Sequence, residues 1–109
     1  MRNPTEYELK ILEAMLKHMA HGADQLNEQL KHAQVSSIDE EGSLRFKINS
    51  PVVTDIEDRV PITGIFDDAD GIPIYLLLHI VDGRLAELEI YKADGSKILN
   101  KPVPEKLYF

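Results

Sequence analysis

The chain has 109 residues, a formal net charge of −7, 43% hydrophobic residues and no cysteine. This length is typical of a single domain, residues 1–109, and the absence of cysteine excludes disulfide frameworks, thiolate catalysis and cysteine-based zinc sites. The negative charge disfavours direct binding to nucleic acid, because it repels phosphates, and it favours basic partners. No segment predicts a membrane span or a signal peptide, so a cytoplasmic location is the expectation.

The first apolar pattern has a period of about 3.6 residues and predicts a helix over residues 5–20. Thr5 and Glu8 have the spacing of a capping box at its start, and Asn3 and Glu6 offer an equally good one. The stripe that would face the core consists of Leu9, Leu12, Leu16 and Met19, widened by Ile11 and Met15.

A second, shorter helix is predicted over residues 24–33. Gly22 is a suitable end for the first helix, and Asp24 can cap the second. Few residues of this segment are apolar, so the helix is expected to depend on packing against its neighbours. The helical part of the domain therefore covers residues 1–34.

From residue 35 to residue 100 apolar residues alternate with polar ones, which predicts β-strands. The dipeptide Asp-Gly recurs at 70–71, 82–83 and 94–95, a spacing of twelve residues, and it favours tight hairpin turns. Together these patterns predict an antiparallel meander of four or five sequential strands with the helical pair packed on one face, which is an α+β fold. Residues 101–109 contain two prolines and an apolar end, and they are predicted to form a C-terminal strap.

The hairpin around Asp82 and Gly83 has two possible registers. A two-residue turn would place leucines opposite glutamates. A three-residue loop that begins at Val81 pairs Ile80 with Arg84 and separates apolar from polar residues, so this register is predicted. The core face would then consist of Ile72, Ile74, Leu76, Leu78, Ile80, Ala86, Leu88 and Ile90.

The opposite face of this hairpin, the mixed face, combines aromatic, aliphatic and charged residues. It would consist of Tyr75, Leu77, His79, Leu85, Glu87, Glu89 and Tyr91. This composition is typical of protein–protein interfaces, which makes the face a candidate partner contact. The alternatives are that the strap covers it or that it is an ordinary solvated sheet face.

Acidic residues concentrate in three of the predicted turns. Alternate turns of a sequential meander lie at the same end of the sheet, which would gather seven carboxylates into one acidic rim. The rim residues are Asp39, Glu40, Glu41, Asp67, Asp68, Asp70 and Asp94. Such a rim could mimic a phosphate backbone and occupy the basic groove of a protein that acts on nucleic acid. The prediction requires the strands to follow one another in sequence order across the sheet.

Three further candidate sites, a calcium site, a catalytic pair and a histidine metal site, have less support. The turn at residues 67–71 fails the EF-hand pattern, because acids are missing at positions where calcium requires them. His79 with Glu87 could transfer protons, although such a pair is more often a surface contact. His18 and His21 have no visible third metal ligand. We therefore assign no catalytic residue, no metal site and no cofactor.

The stretches PTEYELKILEAML, GSLRF, FDDADGIPIYLLL and GRLAELEIYKADGSKI resemble a small bacterial family of unknown function. Its members share an acidic, capped first helix, a turn of the form Asp-Ala-Asp-Gly-x-Pro and a strand of the form Glu-Leu-acid-apolar-aromatic-Lys. The resemblance carries over no catalytic residue. By type, the chain is also similar to the immunity proteins of bacterial polymorphic toxin systems, including contact-dependent growth inhibition.

This second similarity implies a cytoplasmic, non-enzymatic protein that binds and neutralises one cognate toxin domain, often a nuclease with a basic groove. The contact residues would be those of the acidic rim, or Tyr75, His79, Glu87, Glu89 and Tyr91 of the mixed face. One alternative is a homodimeric accessory protein with the mixed face as its two-fold interface. Another is a small hydrolase that uses His79 with Glu87. Contact with nucleic acid or a membrane is not expected.

Overall fold

The computed structural model describes all residues, 1–109, and shows two N-terminal helices, five strands and a short 3₁₀ turn. The expected α+β fold, with a helical pair before an antiparallel sheet, is confirmed. None of the helices combines the length and the apolar character that crossing a bilayer requires. The elements are α1 (Glu6–Leu16), α2 (Ala23–Leu30), β1 (Ala33–Ser37), β2 (Leu44–Ile48), β3 (Ile62–Asp67), β4 (Pro73–Val81), β5 (Arg84–Lys92) and the 3₁₀ turn Pro104–Lys106.

Helix α1 begins where the sequence predicts and ends earlier. Thr5 and Glu8 form the complete capping box, because Glu8 N–H donates to Thr5 Oγ1 at 3.1 Å and Thr5 N–H donates to Glu8 Oε1 at 2.8 Å. The Arg2 guanidinium forks onto the Glu8 carboxylate at 2.7 and 2.9 Å and holds the pKa of Glu8 below its usual value. The helix ends at Leu16 and not at residue 20. Its buried face consists of Ile11, Leu12, Met15 and Leu16.

Helix α2 has different ends from the predicted ones. Its N-cap is Gly22, at φ 81°, and not Asp24, which lies in the first turn. The positive φ favours glycine here, and a Cβ atom at this position would also displace the Cδ1 end of the Ile56 side chain, 2.5 Å away. At the other end Ala33, predicted to close the helix, is the first residue of β1.

The five strands form one antiparallel sheet in the order β1-β2-β5-β4-β3, which is not the sequential order of a meander. Residues 49–61 carry the chain from the end of β2 to the far edge of the sheet, and β5 later returns between β4 and β2. Leu44 of β2 pairs with Leu88 of β5, and both are buried in the core. The predicted strand order is therefore wrong, because regular turn spacing constrains only strands that are joined by a tight turn.

The β4–β5 hairpin contains a two-residue turn and not the predicted three-residue loop. Asp82 and Gly83 have φ values of 52° and 74°, the positive values that a type I′ turn requires. Val81 consequently pairs with Arg84. The predicted pairing of Ile80 with Arg84, and with it the register of the whole hairpin, is therefore wrong.

A β-bulge after His79 explains how a two-residue turn remains compatible with an apolar core face. The bulge shifts the register by one residue, so that Leu78 pairs with Leu88 and not with Glu87, which an uninterrupted two-residue turn would place opposite it. Apolar residues therefore stay together on one face without a longer loop. Leu85, predicted on the mixed face, is 3% exposed and occupies the core position predicted for Ala86.

Both edges of the sheet pair with the chain termini. Arg2 forms a backbone bridge with Val35 of β1, with N···O distances of 2.9 and 2.7 Å. Tyr108 forms a similar bridge with Ile65 of β3, at 2.8 and 2.9 Å. The C-terminal strap thus lies along the edge of β3 and does not cover the mixed face. The residues of β4 alternate between buried and half-buried, as expected for a sheet whose core lies on one side.

Candidate functional site

The three acidic turns lie at the same end of the sheet, although the strand order is not that of a meander. All neighbouring strands are antiparallel, and the turn at 39–42, the turn at 67–71 and the turn at 93–96 adjoin the end at which β5 finishes. The first two turns are three strand spacings apart, or about 14 Å. The fold therefore brings together the turns that were grouped from the sequence.

Asp68 is not exposed on the rim, contrary to the prediction. Its side chain is 0% exposed, and its carboxylate forms a salt bridge of 2.9 Å with the ammonium of Lys92, whose side chain is 1% exposed. Asp68 also accepts the N–H groups of Leu99 at 2.8 Å, Asn100 at 2.9 Å and Ala69 at 2.7 Å. Burial alone would raise the pKa of Asp68, but these hydrogen bonds and the ammonium outweigh it and hold the pKa well below its usual value. Asp68 is therefore a structural anchor for the C-terminal segment and is not accessible to a partner.

Three other rim residues hold their own surroundings in place. Asp70 binds the Lys92 ammonium at 2.7 Å. Asp67 accepts the Tyr108 hydroxyl at 2.7 Å, which raises the pKa of Tyr108. Asp94 accepts a backbone N–H at 3.0 Å and a hydroxyl at 2.6 Å within its own turn. Turn and strap contacts therefore account for these three acids, and Asp70 is the only one of the three with a cation within salt-bridge distance.

The unpaired negative charge is concentrated in the β1–β2 turn. Asp39 Oδ1 accepts the N–H groups of Glu41 and Ser43 at 3.0 and 3.1 Å, which fixes the turn backbone. Glu40 and Glu41 are exposed, and no cation lies within salt-bridge distance of either carboxylate. This turn is the part of the predicted rim that has most charge to offer a partner.

A cleft of about 570 Å³, the acidic cleft, opens beside this turn, between α1 and the segment that leads to the strap. Its floor is apolar and is formed by the core residues Ile11, Leu88 and Ile90. Its rim includes Glu40, Glu41, Tyr7, Leu99 and Lys101. The cleft therefore combines apolar contact area with negative charge at its mouth.

The wall opposite the acidic turn is held by polar contacts. The Tyr7 hydroxyl donates to the Pro102 carbonyl at 2.6 Å, and Lys101 Nζ lies 5.5 Å from the centre of the Tyr7 ring. Asp68, behind this wall, holds the backbone of Leu99. The buried aspartate thus contributes to the cleft by positioning one of its walls.

Sequence reasoning did not identify Tyr7, Leu99 or Lys101 as site residues. Tyr7 lies off the apolar stripe of α1. Leu99 is an apolar residue in a polar segment, and it is 58% exposed. Either feature is a signal of a surface contact. The position of these residues opposite the acidic turn depends on the course of the C-terminal segment, which no local sequence pattern specifies.

The mixed face brings together the five residues predicted for a partner contact there. Tyr75 and Tyr91 are opposite each other, with ring centroids 5.4 Å apart. His79 is directly opposite Glu87, and its Nε2 lies 2.9 Å from Glu89 Oε1. One end of the face is therefore aromatic and the other is polar.

The ligand atoms of His79, Glu87 and Glu89 lie within 4.8 Å of one another, close enough to suggest a small cation site. However, Arg59 Nε–H donates to His79 Nδ1 at 3.1 Å, which leaves the ring proton on Nε2, where it is donated to Glu89. A metal ion would need the lone pair of Nε2, and a ligating histidine normally donates through its other nitrogen. The arrangement is a hydrogen-bonded chain of Arg59, His79 and Glu89 and not a preformed metal centre.

The two histidines near the end of α1 have separate partners. His18 Nδ1 lies 3.0 Å from the Ala14 carbonyl oxygen, and its ring stacks on Phe109 with centroids 4.1 Å apart. His21 hydrogen-bonds to Asp55 and lowers the pKa of that carboxyl. The two imidazoles are therefore each occupied by contacts of their own.

The fold and these surfaces define a small α+β domain with a one-sided sheet, an acidic end and an adjoining cleft. Residues 1–102 match the model of a protein family described as a domain of unknown function (DUF6984), and the chain belongs to that family. No protein of curated function matches the chain, and no solved structure matches it. The family description names no activity.

Proposed function

We propose that this protein is a non-enzymatic immunity protein that neutralises a basic toxin domain through its acidic end, meaning the 39–42 turn, Asp67, Asp94 and the acidic cleft. The observation that carries the proposal is the unpaired charge of Glu40 and Glu41 in a fixed turn beside a cleft, in a chain of net charge −7. A surface of this kind attracts a basic partner over about one Debye length and speeds their association.

A toxin that acts on nucleic acid fits this surface best. Such a protein must present positive charge to the phosphates of its substrate. Carboxylates that span about 14 Å of the acidic end could lie in that groove in place of phosphates. Binding would then exclude the substrate by occupying its site, and the immunity protein would need no catalytic group of its own.

The paired sheet edges support docking through side chains. A partner that added a strand to the sheet would first have to displace the bridge at Arg2 or the bridge at Tyr108. The acidic end and the mixed face remain as candidate surfaces. The acidic end is favoured because its glutamates are unpaired, whereas His79 and Glu89 on the mixed face already bind each other.

The test is the growth of cells that express the C-terminal domain encoded by the neighbouring upstream gene, with and without this protein. We expect this protein to restore growth, because it would occupy the active site of the toxin. An unrelated immunity protein of similar size and charge serves as the control and should not restore growth. If the neighbouring domain is harmless, or kills regardless, the proposed function is wrong.

Self-association through the mixed face is a second candidate, favoured by a specific observation. Arg45 of β2 is opposite Glu87 of β5, so a basic and an acidic position lie side by side on a face that also exposes 42% of Tyr91. A copy related by a two-fold axis could pair these charges in trans. Sedimentation at micromolar concentration tests this. A dimer that Tyr91→Lys dissociates would support it, and a monomeric wild-type protein would exclude it.

A further inference from the structure

The acidic cleft is large enough to receive a long side chain of a partner. Its floor residues Ile11, Leu88 and Ile90 are at most 5% exposed, so the apolar area that a ligand can cover comes mainly from the walls, where Leu99 is 58% and Tyr7 is 36% exposed. Its volume of about 570 Å³ lies within the range of about 300–1,000 Å³ typical of ligand sites. The cleft therefore offers what a flat acidic turn lacks, which is apolar area from which a ligand displaces water.

The charges of the lining select a cation. Four carboxylates line the cleft against one cation, Lys101, and one of the four, on Glu8, is already paired with Arg2. A neutral or anionic occupant would desolvate the carboxylates of Glu40 and Glu41 without pairing them, which is unfavourable. A cationic occupant would pair them through charge-assisted hydrogen bonds.

The contact between Lys101 and Tyr7 shows that the cleft accommodates a cation. The ammonium lies 5.5 Å from the ring centre, and the ring is held in place because its hydroxyl is bonded to Pro102. A guanidinium can stack on such a ring and at the same time fork onto a carboxylate, which a compact ammonium cannot do. Arginine therefore fits this cleft better than lysine does.

We propose that the acidic cleft binds an arginine side chain of the partner, with its stem against the apolar lining at Leu99 and its guanidinium between Tyr7 and the carboxylates of Glu40 and Glu41. The identity of the partner rests on the proposed function, but the preference for arginine is a property of this chain alone. Both walls are fixed before binding, by Asp39 within the turn and by Asp68 behind the opposite wall, so little ordering accompanies binding.

The test is an NMR titration of the full chain with the tripeptide amide acetyl-Leu-Arg-Leu. We expect amide shifts at residues 40–42 and 98–101 and at Tyr7, with a dissociation constant on the order of 1 mM. The same peptide with glutamine in place of arginine should bind more weakly by about tenfold, because it lacks the charge-assisted bonds. Shifts elsewhere on the protein, or equal binding of the two peptides, would overturn the proposal.

Matched variants locate the charge effect. Glu40→Gln with Glu41→Gln should weaken binding of the arginine peptide about fivefold. Glu57→Gln with Asp58→Asn removes two exposed acids at the other end of the sheet and should leave binding unchanged. Lys101→Met removes the resident cation and should strengthen binding about twofold. Equal losses in the two double variants would show that net charge, and not the cleft, attracts the peptide.

This titration and the growth assay can fail independently. Restored growth without arginine-specific shifts would leave the immunity function standing and would remove the cleft as the docking pocket. Arginine-specific shifts without restored growth would leave an arginine-binding cleft whose partner is not the domain encoded by the neighbouring gene.

Discussion

Replacement of the buried Gln29 by leucine tests how the long connection before β3 is held in place. Gln29 is 0% exposed, and its Nε2 donates to the carbonyls of Gly83 at 2.8 Å and Val52 at 2.9 Å. Its Oε1 accepts the Leu85 N–H at 3.0 Å. One side chain of α2 therefore ties both the 49–61 loop and the β4–β5 turn to the helix layer.

The cost of Gln29→Leu follows from what each lost hydrogen bond leaves behind. The Leu85 N–H stays buried without a partner, which costs about 1–3 kcal/mol. The Gly83 carbonyl still accepts a hydrogen bond from the Thr54 N–H at 3.0 Å, and the Val52 carbonyl belongs to a half-buried residue. The loss of the two hydrogen bonds from Gln29 to these carbonyls therefore costs about 1 kcal/mol in total. The greater apolar character of leucine offsets about 1 kcal/mol. The free energy of unfolding should fall by about 2 kcal/mol.

Urea unfolding monitored by circular dichroism measures this change. With a slope of about 1–1.5 kcal/mol per molar urea, the midpoint should fall by roughly 1.5 M. Gln25→Leu, at an exposed position of the same helix, is the matched control and should change stability by less than about 0.5 kcal/mol. If Gln29→Leu is as stable as the wild type, the hydrogen bonds of Gln29 do not hold the loop and the reasoning is refuted.

Asp68→Asn should be less stable than the wild type at neutral pH, and the difference in their free energies of unfolding should become smaller as the solution is acidified. The folded-state pKa of Asp68 lies below its ordinary value of 3.8, so its charge stabilises the folded state above that pH. This stabilisation is lost as the pH falls through the folded-state pKa. A stability difference between variant and wild type that stays constant from neutral to acidic pH would contradict this. Gly83→Ala should lower the unfolding temperature more than Gly71→Ala, although both residues have positive φ. A Cβ atom at Gly83 would meet the backbone of Thr54, whereas nothing lies within 4 Å of a Cβ atom at Gly71. Equal decreases in unfolding temperature would show that the contact with Thr54 is not important. Deletion of residues 108–109 should increase self-association in sedimentation experiments by exposing the edge of β3, and an unchanged monomer would show that the bridge does not protect this edge.

The fold class and most elements could be predicted from the sequence because they depend on local preferences. The alternation of apolar residues identified the strands, and the Asp-Gly dipeptides marked turns. Strand order could not be predicted in this way, because it depends on where residues 49–61 take the chain. The hairpin register was missed because a two-residue turn with a bulge and a three-residue loop both separate apolar from polar residues.

The site was harder to predict, since neighbouring acids differ only in their long-range contacts. Nothing local distinguishes the exposed Asp67 from the buried Asp68. One signal was available, because Lys92 follows Ile90 by two residues and therefore falls on the core face, where a lysine needs an acidic partner. The acidic cleft joins α1, one turn and the segment 98–102, so no single stretch of sequence contains it.

The dissociation constant of the complex with the toxin domain, measured against salt concentration, tests most directly whether the acidic end neutralises a basic partner. Glu40→Lys with Glu41→Lys is compared with Glu57→Lys with Asp58→Lys, which changes the net charge equally at the other end of the sheet. We expect the first pair to weaken binding by about tenfold or more and to reduce its salt dependence, and the second pair to change affinity by only about twofold. Equal effects of the two pairs, or an affinity indifferent to salt and to both pairs, would contradict the account.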